Sequence, residues 1–305
     1  MPEEAKSKPA ISGRMRRLEI RTRRLITDSM AGAYQSVFKG RGMDFSEVRE
    51  YSPGDEIRTI DWNVTARAGK TYVKKFTEER ELTIFLLVDV SASGNFGSGA
   101  TSKRDLAAEV ASLLAFSAIR NGDKVGLLLY TDRVERYLEP KKGRQHVLRV
   151  VRDILYFTPE GQGTDTAKAL DVVNHTLHCR AVVFLISDFK APREPQAARQ
   201  ALRRVARQVN RRHDLVAMHV RDAREEDLPD VGIVALEDAE TGETVEINTS
   251  SARVRQRFRE LAQADLQKLQ ADLGAEGIDL LQLKTDAPYL PVLQRFFKSR
   301  QRRRL

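Results

Sequence analysis

From Leu82 onward the chain alternates short apolar runs with segments whose apolar residues recur every three to four positions, which predicts strands and helices in turn. The runs place strands at residues 82–88, 124–130, 181–187, 214–220 and 278–283. Helical spacing fills 103–120, 144–156, 165–177, 196–211, 251–273 and a last helix from Pro288. Such alternation implies an α/β fold: a doubly wound, mostly parallel sheet with helices on both faces. Residues 133–138 follow the second strand at once and must fold back as an antiparallel edge. Two short runs, 231–236 and 243–247, flank a Glu240-Thr241-Gly242 turn and read as an inserted β-hairpin.

The first 81 residues have a different texture. Residues 1–12 are polar, contain proline and are expected to be disordered. Met15, Leu18, Thr22, Leu25, Ile26 and Met30 then recur at helical spacing with arginines opposite them, the pattern of an amphipathic helix. Between Gly40 and Glu81 come a Pro53-Gly54-Asp55 turn, the single tryptophan Trp62 and an alternating run over 71–77. Short strands and turns are expected there, with Trp62 packed and with Arg41, Glu47, Arg49, Glu50, Asp55, Arg58, Asp61 and Arg67 forming ion pairs that fix the segment, the alternative being that they present a partner surface. The chain thus divides into a disordered start (1–12), a helical and β-containing region (13–81), an α/β domain (82–297) carrying the hairpin (231–247), and a basic tail (298–305).

Composition narrows the function classes. No apolar run approaches the roughly 18 residues of a membrane span, and no secretory stretch precedes Met15, so the expected location is the cytoplasm. The lone Cys179 has no partner for an internal disulfide. Net charge is +9, but residues 14–24 contribute +5 (six arginines against Glu19) and 298–305 another +5, which leaves −1 for everything else. A nucleic-acid-binding domain spreads its cations over a folded face, so no specific nucleic-acid site is expected. Binding of nucleic acid or lipid through the basic ends stays as an alternative.

The chemistry concentrates at strand ends. Asp89-Val90-Ser91-Ala92-Ser93 closes the first apolar run, and alternate residues leaving a strand face the same side, so one carboxylate and two hydroxyls converge. Thr164, after Gly161-Gln162-Gly163, and Asp188, after the run 181–187, supply two further oxygen donors beside the same crevice. Hard oxygen donors select Mg²⁺ or Mn²⁺. Three hydroxyls plus one or two carboxylates under-fill that ion's shell and bring little negative charge, which leaves a position for an incoming Asp or Glu of another protein.

These residues resemble the metal-ion-dependent adhesion site of von Willebrand factor type A domains, with a D-x-S-x-S strand end, a threonine in a glycine-containing loop and a strand-end aspartate. The resemblance implies a von Willebrand factor A-like, Rossmann-type fold in which Asp89, Ser91, Ser93 and Thr164 are ligands and Asp188 binds directly or through water. Upstream, Arg49-Glu50-Tyr51-Ser52-Pro53-Gly54-Asp55 with Arg58, Ile60-Asp61-Trp62 and Ala66-Arg67 resembles a narrower group, the bacterial family numbered fifty-eight among the domains of unknown function. Gly94 and Gln162 depart from that group's usual methionine and glycine but touch no ligand position. This second resemblance implies a partner of the MoxR type, an AAA+ ATPase, for which the chain would act as an adaptor.

Enzyme readings fare less well. A Mg²⁺-dependent phosphohydrolase using Asp89 as phosphoryl acceptor is the main alternative, but Ser91 stands where a second aspartate is usual, and no lysine sits in a matching motif. A G-x-S-x-G elbow and a phosphate-binding glycine loop are both absent. His175, His178 and Cys179 lack a second cluster to complete a zinc site. A non-enzymatic module is therefore expected.

Overall fold

The computed structural model describes residues 18–20, 22, 25, 44–77, 81–161, 163–190, 196–237, 239 and 242–303. These divide into two compact units, one within 38–82 and one comprising 83–303 with the described residues of 18–25. The stretch expected to be disordered, 1–12, lies outside the described residues, as do Met15, Ile26, Met30 and Arg41.

In the smaller unit, β1 (Asp44–Glu50) pairs antiparallel with β2 (Tyr72–Thr77), and α1 (Trp62–Ala68) lies between them in sequence. The helix is an addition to the expected strands and turns. Asp61 starts it by accepting the N–H groups of Asn63 and Val64 at 3.0 and 3.2 Å, and Gly69 stops it at φ 68°, where a side chain would be strained. The expected packing of Trp62 is corrected: it takes the first helical position and stays 67% exposed, because one hairpin and a two-turn helix enclose too little volume for an indole. Arg49 donates two bonds to Asp55 at 2.8 and 2.7 Å, and Asp55 also accepts the Ser52 N–H at 2.9 Å, which pins the Pro53-Gly54 turn. Lys70 and Glu50 form a second pair, at 2.8 Å, on the surface.

The larger unit follows from the apolar runs. They become β3 (Thr83–Asp89), β4 (Lys124–Tyr130), β5 (Val134–Lys141), β6 (Val182–Ser187) and β7 (Asp214–Arg221), then β8 (Ile233–Glu237), β9 (Thr244–Asn248) and β10 (Asp279–Lys284). A six-stranded sheet takes the order β10-β7-β6-β3-β4-β5, parallel except for β5, and β8 and β9 form the separate hairpin. The helices are α2 (Lys103–Arg120), α3 (Arg144–Tyr156), α4 (Thr166–Thr176), α5 (Gln196–Arg212), the single turn α6 (Ala223–Glu226), α7 (Ala252–Ala275) and α8 (Leu290–Arg303). Period-two alternation sends Phe85 and Leu87 to one face, where Leu170, Val173, Val209 and Leu273 of α4, α5 and α7 bury them. Ile84, Leu86 and Val88 face the opposite side and are equally buried. The doubly wound, mostly parallel sheet with an antiparallel edge is therefore present.

Two expected boundaries change. Leu18 and Thr22 are buried, and Glu19 accepts two bonds from Arg144 at 3.0 and 2.7 Å, so this helical stretch groups with the larger unit and not with 44–77. The basic tail is also corrected, since α8 stays helical to Arg303. Arg300 is held by Asp214 and Asp279, both at 2.7 Å, and lies 5.0 Å from the centre of the Phe296 ring. Charge pairing across the first residues of β7 and β10 explains why a cationic segment orders. Arg300→Ala leaves two half-buried carboxylates without that partner and is expected to cost about 2 kcal/mol, read as an earlier urea midpoint. Among the described residues no helix is long and apolar enough to cross a membrane.

Candidate metal centre

Strand order locates the crevice. After β3 the chain moves outward to β4 and β5, then returns to place β6 on the other side of β3 and continues to β7 and β10. The crossovers therefore diverge between β3 and β6, and a crevice opens beyond their carboxyl ends. Val88 pairs with Ile186, so the next residues, Asp89 and Ser187, are neighbours. Ser187 Oγ donates to Asp89 Oδ2 at 2.7 Å.

Beyond Asp89 the chain turns back over its own carboxylate. Val90 N–H bonds Tyr130 O at 2.9 Å, which prolongs the β3–β4 pairing by one residue, and a 3₁₀ turn follows over Ala92–Asn95. Ser91 N–H donates to Asp89 Oδ1 at 2.9 Å. The hydroxyls of Ser91 and Ser93 hydrogen-bond each other at 3.1 Å. Adjacent oxygens of an octahedral Mg²⁺ shell with bonds near 2.1 Å are about 3.0 Å apart, so this pair has the spacing of one octahedral edge. Asp89, Ser91, Ser93 and Asp188 line one cleft with Lys103 and Ser187, and its volume of about 20 Å³ admits a single water or ion.

Asp188 enters this cleft already occupied. Its Oδ2 accepts from Lys103 Nζ at 2.5 Å and its Oδ1 from the Lys190 N–H at 3.1 Å. Lys103 is 2% exposed and also donates to Glu225 Oε1 at 2.7 Å; Lys190 Nζ reaches the same oxygen at 2.7 Å. The turn that presents Asp188 carries Phe189 at φ 50°, the single non-glycine residue at positive φ among those described. Its N–H is held by Ser187 Oγ at 2.9 Å, and its ring meets His219 edge-on at 5.6 Å. Burial drops the His219 pKa to about 4, so the imidazole beside the turn is neutral at pH 7.

Thr164 is buried but is not among the residues that line the cleft. Its loop is tied to the end of β4, where Asp165 N–H bonds Thr131 O at 2.9 Å and Thr166 Oγ1 lies 3.2 Å from Tyr130 Oη. Glu135 of β5 secures the other side by accepting from Gly161 N–H at 2.7 Å, Thr131 Oγ1 at 2.8 Å and Glu160 N–H at 3.2 Å. A Cβ at Gly161 would lie 2.0 Å from Thr131 Oγ1 and 2.1 Å from Asp132 Oδ1. Gly161→Ala must therefore displace the Thr131 and Asp132 side chains, and with them the Thr131–Glu135 bond that helps hold this loop. A loss of about 1–3 kcal/mol and faster amide exchange over 160–165 are expected, measured by hydrogen exchange.

The electrostatics favour a cation. Burial, followed by the charge of Asp188, pushes the Asp89 pKa up to about 6, whereas Lys103 holds Asp188 below the ordinary carboxylate range against its burial. Hard oxygen donors, an octahedral edge and a carboxylate that burial disfavours in its charged form together fit Mg²⁺ or Mn²⁺. Among the described residues no three His, Cys, Asp or Glu side chains gather to hold a metal without hydroxyl help.

Three contributors escaped the sequence: Ser187, Glu225 and Lys103. Ser187 is the one polar residue closing the run from Val182. Lys103 stands at the first position of α2, after the Ser102 cap, where a cation opposes the helix dipole. That misplacement was a readable signal. Glu225, on a one-turn helix far along the chain, gave none.

A family model described as protein of unknown function DUF58 matches residues 47–268, from β1 into α7. An uncharacterized protein of Mycobacterium tuberculosis is 33% identical over 296 residues, 96% of this chain and 91% of that protein. One from Mycobacterium avium is 35% identical over 144 residues, 47% of this chain and 80% of its own length. Among solved structures, the conserved hypothetical protein BatB of Bacteroides thetaiotaomicron aligns with TM-score 0.43 and 13% identity over 73% of this chain and 99% of its own. The VWA domain of SpRpn10 aligns with TM-score 0.39 and 12% identity over 69% and 92%. The family match over most of the chain, with a relative matched nearly end to end, places the chain in the DUF58 family.

Proposed function

We propose that this chain is a non-enzymatic, metal-dependent protein-binding module that receives an Asp or Glu side chain of a partner on a divalent cation. The observation that carries the reading is the Ser91–Ser93 hydroxyl pair at octahedral-edge spacing beside the buried Asp89 carboxylate. Asp89, Ser91 and Ser93 would hold Mg²⁺ or Mn²⁺, and Thr164, which does not line the cleft, is left out of this ligand set. When bound, the ion offers an open coordination position to an outside carboxylate.

Local charge supports the choice of ligand. The carboxylates of Asp89 and Asp188 line the cleft together with the cationic Lys103 and Arg104, so the side chains around the site bring no excess negative charge. A divalent ion there leaves a net positive charge, which an incoming carboxylate reduces and a neutral group does not. The family resemblance of the arginine-rich segment around Pro53 points to a MoxR-type AAA+ ATPase as the protein served, with this chain as its adaptor. A pull-down with immobilised wild-type protein in Mg²⁺, against Asp89→Ala and against wild type in EDTA, tests the reading. Partners lost under both changes support it, and identical profiles in all three would refute it.

The second reading, a Mg²⁺-dependent phosphohydrolase using Asp89, gains one feature from the structure, because Lys103 lies in the cleft after all. Both carboxylates that touch it already engage its ammonium. Turnover of p-nitrophenyl phosphate that disappears in Asp89→Asn would favour this reading, and the expected result is no turnover.

A further inference from the structure

We propose that Lys103 is the specificity-determining residue of the cleft: its ammonium takes Asp188 out of the metal shell, so that a divalent ion is held weakly until a partner carboxylate joins it. This inference rests on the metal reading above. Its basis is geometric. Lys103 Nζ approaches Asp188 Oδ2 to 2.5 Å and Glu225 Oε1 to 2.7 Å, and the other oxygen of Asp188 is bonded to the Lys190 N–H. Both oxygens of Asp188 therefore have a donor before any ion arrives. Asp89 differs, because among the described residues its hydrogen bonds come from Ser91 and Ser187, with the Ser91 N–H on Oδ1 at 2.9 Å and the Ser187 hydroxyl on Oδ2 at 2.7 Å, and no ammonium holds either oxygen.

Lys103 is not held there by accident of surface packing. It is 2% exposed, sits at the start of α2 where the helix dipole disfavours a cation, and is clamped by acids from two other segments, the turn after β6 and α6. Glu225 in turn is fixed because its Oε2 accepts the Asp222 N–H at 3.2 Å, while Asp222 accepts from Ser98 N–H at 3.0 Å and Thr285 Oγ1 at 2.7 Å. The ammonium position is thus built by four separate stretches of chain.

A fixed positive charge lining the same small cleft repels a divalent ion and attracts an anion. Two consequences follow from removing it. The ion should bind more tightly, since Asp188 becomes available and the repulsion is gone. The outside carboxylate should bind less tightly, since the ion's charge is then met by the protein's own acids. Lys103 in this way couples metal occupancy to the presence of the partner.

The test is calorimetric titration of the whole chain with Mn²⁺ alone, in wild type, Lys103→Met, Lys103→Met with Asp188→Asn, and Asp89→Ala. Expected is a rise in Mn²⁺ affinity of at least tenfold in Lys103→Met that Asp188→Asn largely cancels. Lys103→Gln, which removes the charge but keeps a hydrogen-bond donor, is used should the methionine variant fail to fold, and a smaller rise in Mn²⁺ affinity is expected there, from the lost repulsion alone. Unchanged or weaker Mn²⁺ binding in the Lys103 variants, with wild-type binding still lost in Asp89→Ala, overturns this inference and leaves the metal reading standing. Binding in no variant, or binding indifferent to Asp89, overturns both. Tight binding that appears only when Lys103 is replaced supports the inference.

Discussion

Asp89→Asn is expected to make the metal-free protein more stable at pH 7, by about 2–3 kcal/mol, while abolishing its response to Mg²⁺ and Mn²⁺. Burial and the neighbouring Asp188 raise the Asp89 pKa from an ordinary 3.8 to about 6, so the folded protein at pH 7 carries a charge it would shed more readily than the unfolded chain. One pKa unit is worth about 1.4 kcal/mol. The sign follows from proton counting. Between pH 3.8 and 6 the folded state binds more protons at this site than the unfolded state, so its contribution is complete below about pH 4 and is lost as pH rises through 6. Asparagine is neutral throughout, can still accept the Ser91 N–H and has no such loss. Its advantage should therefore be large at pH 7 and vanish near pH 4. Saturating Mn²⁺ should close the gap from the other side, because an ion at a hundred times its dissociation constant stabilises wild type alone by about 2.7 kcal/mol. Thermal denaturation of both proteins across pH, with and without Mn²⁺, checks each part. A variant less stable than wild type at pH 7 without metal would contradict the account of Asp89 as a carboxylate kept ionised at a cost for function.

Lys103→Ala should have the opposite effect, a loss of about 3–5 kcal/mol. The ammonium is the partner of Asp188, which is 4% exposed at the side chain, and of Glu225, at 13%. Truncation strands Asp188 without a charged partner in a site that water reaches poorly, and leaves Glu225 with Lys190 alone. Neutralising the acid at the same time, in Lys103→Ala with Asp188→Asn, removes the stranded charge and should recover much of the loss. The size of that recovery, measured as the coupling in a double-mutant cycle by urea denaturation, separates a buried ion pair from simple packing of the lysine stem. Additive effects of the two substitutions would rule out the coupling.

How much of this was readable without coordinates depends on the range of the interaction. Runs such as Ile84–Val88 reveal parallel strands because both faces are buried, and the turn between Tyr130 and Val134 is too short for anything but an antiparallel return. Asp89, Ser91 and Ser93 were legible as a group because alternation along one strand end is local. α1 was missed because its tryptophan and β-branched residues weigh against a helix, although the Asp61 cap and Gly69 stop mark both of its ends. The basic tail was misread for a different reason. Arg300 folds back onto Asp214 and Asp279, 86 and 21 residues away, and no local pattern announces such a pairing. Lys103 belongs to the same class, since its carboxylate partners lie 85 and 122 residues downstream. Composition treats every lysine as solvated surface, and only tertiary packing converts this one into part of the cleft.

The central claim is that the buried Asp89 carboxylate and its neighbouring hydroxyls hold one divalent cation, and electron paramagnetic resonance of Mn²⁺ tests it most directly. Titrating the whole chain and counting free Mn²⁺ should reveal one bound ion per wild-type chain and none in Asp89→Asn, with unchanged circular dichroism in the variant. Equal loss of the free-ion signal with both proteins, or no loss with wild type, would contradict the account.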